Sequence, residues 1–331
     1  MSEITRSLEA SGQLNAWYQG VLRKLARQLL SDTEECIVFL GAGAAFDATR
    51  PHLPTAAELS EALAKDCKLE WHEYIPLSTI AFYYEFYFKR DELNETLKIK
   101  IGDPAVAPST TVSRLMDVVD VLQQRQKDVL VITTNYDQHF ERAYQARFGH
   151  APDVIIYNGG TDANDATTAL HVGIGRDLRT FKPKPGHTYL YKMHGCISRA
   201  EGRNLVVTEE DYINFLANAN SYDDKKRLLP YVLGKIAESS TLFIGYGLSD
   251  WNFRVIFKAT AERNAAAGYA VQYTHPDKLA GDALLRRQAL VEFWGRKNVD
   301  IVNADAALFV EDLARAVAEM AARQPAVVVS A

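Results

Sequence analysis

VLVITTNYDQHF, residues 129–140, decides how the chain folds. A five-residue apolar run, VLVIT, ends in Thr134, Asn135, Tyr136 and Asp137, and a helical pattern (QHFERAYQARF) follows. A short, continuous apolar run bounded by polar turn residues fits a strand buried on both faces. Strands of this kind belong to parallel sheets covered by helices, and ligands bind such sheets outside the carboxyl ends of the strands. Asp137 fits a helix N-cap, because its carboxylate can accept from the orphan N–H groups of the first turn. The cap leaves Asn135 unexplained. That residue stands two positions earlier, and its short side chain offers both a donor and an acceptor.

Runs of the same type recur at 36–40, 154–157, 188–193, 241–245, 269–273 and 299–302, and helical patterns separate most of them. The alternation predicts an α/β fold, a parallel sheet flanked by helices. Residues 12–30 space their apolar positions as an amphipathic N-terminal helix, and residues 55–125 read as a helical insertion on the sheet. Within the insertion Phe82, Tyr83, Tyr84, Phe86, Tyr87 and Phe88 surround one helix, the pattern of a buried helix or a subunit interface. Residues 159–187, rich in Gly, Asp and Pro, read as a long loop, either a lid or an assembly arm.

Composition narrows the class. The net charge of −5 over 331 residues is not the basic footprint of an autonomous nucleic-acid binder. The three cysteines, Cys36, Cys67 and Cys196, form no CxxC clip and no disulfide framework, which points to a reducing compartment. The opening MSEITRSLEA lacks the apolar core of a signal peptide. No stretch approaches the ~20 apolar residues of a membrane span. The expectation is a cytoplasmic protein with no membrane contact.

Four other strand ends carry polar or glycine-rich residues. FLGAGAAF places Gly41, Ala42, Gly43 and Ala44 after the first strand, where glycines allow backbone N–H groups close to a phosphate. The common dinucleotide fingerprint needs Gly or Ala at position 46, where Phe46 stands, and Glu58 and Glu61 fall in a helical pattern. A tight βα turn and a phosphate loop of another type both fit. YLYKMHGC brings His194 and Gly195 to a strand tip, and an ordinary histidine pKa near 6.5 suits general-base work; a structural hydrogen bond is the plainer alternative. Gly245, Tyr246 and Gly247 repeat the logic of the first loop, and two such loops suit a two-lobed ligand such as a dinucleotide. Asn303 ends the last strand, within reach of an adenosine ribose, and Asp305 fits the cap of the final helix.

In this order (Gly41-Ala42-Gly43, then Thr133, Asn135 and Asp137, then His194-Gly195, then Gly245-Tyr246-Gly247) the motifs resemble the NAD-site motifs of the sirtuin-like superfamily. The resemblance runs from about residue 34 to 320 and implies one sirtuin-like catalytic domain over 1–331 with a Rossmann-like NAD-binding fold. LYKMHGCIS, LVVTEEDYINF and FIGYGLSDWNF look like the bacterial sirtuin-like NAD hydrolases of antiphage defence. Protein deacylases of the superfamily carry a four-cysteine zinc module after the histidine. Residues 196–240 here hold only Cys196, so no zinc is expected. AAFDATRPHLPTAAEL also replaces the stretch that helps frame the deacylase peptide groove. The resemblance implies NAD+ as substrate, with its pyrophosphate near the Gly41–Ala44 amides and Thr134, Asp137, Gly245, Tyr246, Gly247 and Asn303 as further binding residues. Asn135 and His194 are the implied catalytic pair, acting in NAD+ hydrolysis to nicotinamide and ADP-ribose. It further implies gating by a homo-oligomer or by a HerA-like hexameric DNA-translocating ATPase. Deacylation, ADP-ribosyl transfer and a non-catalytic NAD-binding or assembly module are the alternatives, with NAD(P) redox chemistry disfavoured by Phe46.

Overall fold

The computed structural model describes residues 16–47, 50–72, 75–157, 169–172, 184, 186–219, 230–248, 254, 268–274 and 281–323. In chain order these hold α1 (Ala16–Leu30), β1 (Cys36–Leu40), α2 (Ala56–Asp66), α3 (Leu77–Ile101), α4 (Thr110–Gln124), β2 (Val129–Thr133), α5 (His139–Phe148) and β3 (Asp153–Tyr157). There follow β4 (Ala169–Val172), β5 (Thr188–Lys192), α6 (Glu209–Ala219), α7 (Pro230–Glu238), β6 (Ser240–Ile244), β7 (Gly268–Val271), α8 (Gly281–Gly295), β8 (Val299–Val302) and α9 (Ala306–Arg323).

One sheet carries the strands in the order β4-β3-β5-β2-β1-β6-β7-β8. Seven strands are parallel, and β4 alone runs antiparallel, against β3. Side-chain alternation divides the sheet between two cores. Val38, Leu40, Val131, Leu190, Leu242 and Ile244 face α1, α4, α5 and α9. Ile37, Phe39, Ile132, Tyr191 and Phe243 face the opposite layer, with Phe215, Val232, Ile236 and Trp294. Both faces are covered, so the strands read as unbroken apolar runs. The first strand lies between β2 and β6, and the chain builds one half of the sheet before crossing to the other. The crevice beside β1 is therefore the topological switch point, where such sheets bind ligands.

The segment 159–187 departs from a plain loop. Ala169–Val172 adds an edge strand to β3, with Val154 opposite Val172 and Tyr157 opposite Ala169. Four residues make a weak periodic signal, and the neighbouring strand decides their pairing. The lid or arm expected from the rest of that segment lies outside the described residues.

Between β1 and β2 the described chain is helical. Thr55 and Glu58 form a reciprocal capping box at the start of α2. The third helix turns sharply at Lys89, whose φ of 70° and ψ of 167° lie where glycine alone is at ease. A non-glycine residue there costs on the order of 1–3 kcal/mol. The bend lets Tyr84 OH meet Thr96 Oγ1 at 2.9 Å; in a straight helix, twelve residues would separate them by about 18 Å. Arg90 holds the bend in place. Its guanidinium donates to the carbonyls of Gly202 (2.9 Å) and Leu205 (2.7 Å), and to Asp211 Oδ2 at 2.7 Å. The insertion is thereby clamped to the segment that follows His194. Of the aromatic run Tyr84 is buried, at 5% exposure, whereas Phe86 and Tyr87 are 74% and 57% exposed. The helix is thus not a wholly buried one.

The tips of β1 and β6 meet backbone to backbone. Gly43 N–H donates to Gly245 O at 2.8 Å, and Gly41 N–H to Ile244 O at 3.0 Å. A Cβ at Gly41 would come within 2.6 Å of Gly245 O and Tyr246 Cα. A Cβ at Gly245 would overlap Ala44 N and the Gly43 carbonyl carbon, and Gly245 has φ +62°. Gly245→Ala is therefore expected to destabilise the protein by about 2–4 kcal/mol. Gly20→Ala, in α1 with nothing within 4 Å of the added methyl, should stabilise it by about 0.5–1 kcal/mol. Urea unfolding of both variants checks the pair, and equal effects would contradict the loop-to-loop contact.

Candidate active site

A cavity of about 720 Å³ opens at the carboxyl ends of β1, β2, β5 and β6. Ala42, Gly43 and Ala45 line it from the first strand end, Thr134 to Asp137 from the second, His194 from β5, and Gly245 to Gly247 from β6. The insertion, with Leu53 just before it, closes the other side with an apolar wall that includes Leu59, Leu77 and Ile101. Among the residues expected in the site, Gly41, Ala44 and Asn303 do not line this cavity. Gly41 and Ala44 lie behind its wall: Gly41 O accepts from Asn135, and Ala44 O accepts from Ser109 Oγ at 2.5 Å. Asn303 Oδ1 accepts from Thr274 N at 2.8 Å, so its amide secures the chain leaving β7.

Asn135 is held at two points. Its N–H donates to Thr133 Oγ1 at 3.0 Å, and that hydroxyl donates to Leu40 O at 3.0 Å. Its Nδ2 donates to Gly41 O at 3.0 Å. The amide thus ties the β2 tip to the first glycine loop and leaves Oδ1 as an acceptor. Asp137 is buried, and its Oδ1 accepts from His139 N, the first N–H of α5, at 2.8 Å; the N-cap expected at Asp137 falls instead on Gln138, because the helix begins one residue later. It also lines the cavity, so one carboxylate belongs to both a helix end and the site.

The amides expected to cradle a pyrophosphate are largely engaged within the protein. In the first loop the N–H groups of Gly41, Gly43 and Ala44 donate to Ile244 O, Gly245 O and Gly41 O. Ala42 keeps the one N–H in 41–44 without a carbonyl partner among the described residues. The glycines are needed for loop-to-loop contact, a role that the spacing of Gly41, Gly43, Gly245 and Gly247 does not distinguish from phosphate binding.

His194 sits between two aromatic rings, perpendicular to Tyr212 at 5.1 Å and to Phe215 at 5.3 Å between centroids. It is 4% exposed, and no side-chain hydrogen bond engages its ring among the described residues. Burial pushes its pKa down from 6.5 to about 3. The imidazole is therefore neutral at ordinary pH, with one donor nitrogen and one acceptor nitrogen. The ordinary pKa assumed for a general base does not hold at this position. Two features escaped sequence reasoning. Tyr212 lies in a segment whose acidic start signals a helix, but nothing in the order of residues aims its ring at His194. The apolar wall comes from residues 80 or more positions away from His194, brought in by the bend of α3 and the Arg90 clamp. Among the described residues no group of His, Cys, Asp and Glu is placed to hold a metal, and no helix is long and apolar enough to cross a membrane.

Comparison with known proteins adds three findings. A model of the SIR2-like domain family matches residues 129–301, which begin at the first residue of β2 and include Asn135, His194 and Gly245 to Gly247. Defense-associated sirtuin 2 of Bacillus subtilis is 31% identical over 128 residues, 38% of this chain and 10% of that protein. The match thus spans a tenth of the length of that curated relative. Two solved structures align over most of the chain. One, concerned with the structural basis for the mechanism and regulation of Sir2 enzymes, has 12% identity and a TM-score of 0.44, covering 91% of this chain and 98% of that one. The other, Sir2Af2 bound to a myristoylated histone peptide, has 14% identity and a TM-score of 0.38, covering 92% and 100%.

The His194 environment makes stability depend on pH. The folded pKa lies below the ordinary value, so between about 3 and 6.5 the unfolded chain binds the extra proton. Stability is complete above 6.5 and falls as pH drops toward 3, by up to about 1.4 kcal/mol per pH unit. The His194→Phe variant should lose stability less steeply than the parent between about pH 6.5 and 5 in urea unfolding. Parallel slopes would contradict a buried neutral imidazole.

Proposed function

We propose, on the premise that this chain belongs to the SIR2-like family, that it cleaves the N-glycosidic bond of NAD+ to give nicotinamide and ADP-ribose. One observation carries the reading: Asn135 and His194, on the tips of adjacent strands, line one cavity beside two interlocked glycine loops. The bond to nicotinamide breaks with its electron pair passing to the pyridinium nitrogen, which leaves as neutral nicotinamide. The ribose carbon passes through an oxocarbenium-like state, as in glycoside cleavage. A water oxygen bonds to that carbon, and the water proton is lost to solvent.

Each residue then has a definable part. Asn135 Oδ1 accepts a hydrogen bond from a ribose hydroxyl or from the attacking water. Neutral His194 accepts from a ribose hydroxyl, which suits a reaction whose main demand is charge stabilisation rather than a strong base. The Asp137 carboxylate faces developing positive charge. Ala42, Gly43, Thr134, Gly245, Tyr246 and Gly247 form the surface on which the rest of NAD+ lies, with Gly41 and Ala44 supporting it. Asn303 contributes by keeping the far strand end in place. No zinc takes part in this scheme.

Hydrolysis of NAD+ in the cytoplasm is harmful unless gated, and the name of the Bacillus subtilis relative supports a place in antiphage defence. Assembly is the gate we favour, through copies of this chain or a HerA-like hexameric ATPase. The exposed rings of Phe86 and Tyr87 supply an apolar surface for it.

Purified protein, alone and with its partner ATPase, is expected to release nicotinamide and free ADP-ribose in equal amounts. Asn135→Ala and His194→Ala should each lower kcat about 100- to 1,000-fold. Full activity in both variants would overturn the assignment, and NAD+ binding without turnover would favour a non-catalytic module. A Phe86→Glu and Tyr87→Glu double variant should lower the native mass of the assembly. An unchanged mass would remove this surface from the model of gating.

A further inference from the structure

Lys192 ends β5, two residues before His194. It is 1% exposed, and a lysine is buried to this degree only when paired. Its Nζ donates to Glu141 Oε1 at 3.0 Å and to the backbone carbonyl of Asp137. Burial works against the charge, but Glu141, Cys196 and Asp137 together outweigh it and hold the ammonium above the ordinary lysine range. The sheet pairs Lys192 with Thr133, and Met193 N–H donates to Thr133 O at 2.8 Å. One ammonium therefore joins the strand that bears His194 to the turn that bears Asn135 and Asp137.

The turn needs such a tie. Its entrance is fixed through Thr133, and Tyr136 O accepts from Ile197 N at 2.8 Å. The Asp137 carbonyl has Lys192 as its partner. A buried ion pair is often no more stabilising than apolar residues of the same volume, so stability alone is a poor reason for a charge here. The pair also divides the charges. Lys192 matches Glu141, and Asp137 Oδ1 meets a backbone N–H, so no cation among the described residues bonds to the carboxylate that lines the cavity.

We propose that Lys192 is a positioning residue, which by holding the Asp137 carbonyl sets Asn135 and Asp137 against His194. Its kinetic consequence rests on the hydrolase reading. Lys192→Met combined with Glu141→Gln removes both charges and leaves no lone buried carboxylate. The double variant should unfold at the parent's temperature, with kcat lower by roughly 10- to 100-fold and KM within about twofold. Hydrogen exchange at residues 134–138 should accelerate while the sheet stays protected. Glu141→Gln alone keeps the bond to the Asp137 carbonyl and should retain kcat within about twofold. A folded double variant with the parent's kcat overturns the proposal, and so does a large kcat loss in Glu141→Gln, which also decides the matter if the double variant does not fold. A parent protein without NAD+ turnover overturns the hydrolase reading instead. Exchange at 134–138 then still judges Lys192, and unchanged protection in the double variant counts against it.

Discussion

The backbone contact between the loops after β1 and β6 is the constraint on which the site depends. These strands are neighbours, yet they are built some 200 residues apart in the chain. Their tips approach so closely that a Cβ at Gly41 or Gly245 has no room. Asn135 extends the arrangement to the next strand, because its Nδ2 donates to the carbonyl of Gly41. Three strand ends are thereby locked before any ligand arrives. Preorganisation of this type lets polar groups stabilise developing charge without having to reorganise.

The second half of the cavity has a different origin. A parallel sheet presents strand tips but no roof, and here the roof is the helical insertion. Leu59, Leu77 and Ile101, with Leu53 just before the insertion, supply its apolar surface, and the third core, around Leu63, Leu93 and Leu97, supports them. Arg90 couples that support to Gly202, Leu205 and Asp211, in the segment that begins at His194. An event at the exposed aromatic stretch of α3, just before the Lys89 bend, thus has a short, bonded route to the histidine. The polar groups of the site also face a wall of low dielectric, which strengthens each of their interactions.

His194 and Asn135 show how burial alters what a residue type can do. The histidine lies against Tyr212 and Phe215 without a polar partner for its ring among the described residues, so desolvation keeps it neutral. Asn135 spends its donor on the protein and keeps its acceptor for the cavity. Both then act through hydrogen-bond geometry more than through proton affinity. That suits a bond cleavage in which the leaving group already carries positive charge.

The apolar runs by themselves determined the parallel sheet, because a strand buried on both faces leaves an unbroken hydrophobic signature. Asn135 and His194 were legible as strand-tip residues because each closely follows such a run, and Asp137 as an acceptor at the helix start, although the cap position itself fell on Gln138. The edge strand Ala169–Val172 was not legible, since a four-residue pairing is decided by its neighbour and carries little local signal. Only the tertiary structure decided the function of the glycines. Gly41 and Gly245 are adjacent in space and distant in sequence, and the same glycine would serve a phosphate or another backbone. The same holds for Lys192: in sequence it is one polar residue at the end of an apolar strand, and only its burial beside the Asp137 carbonyl gives that charge a reason.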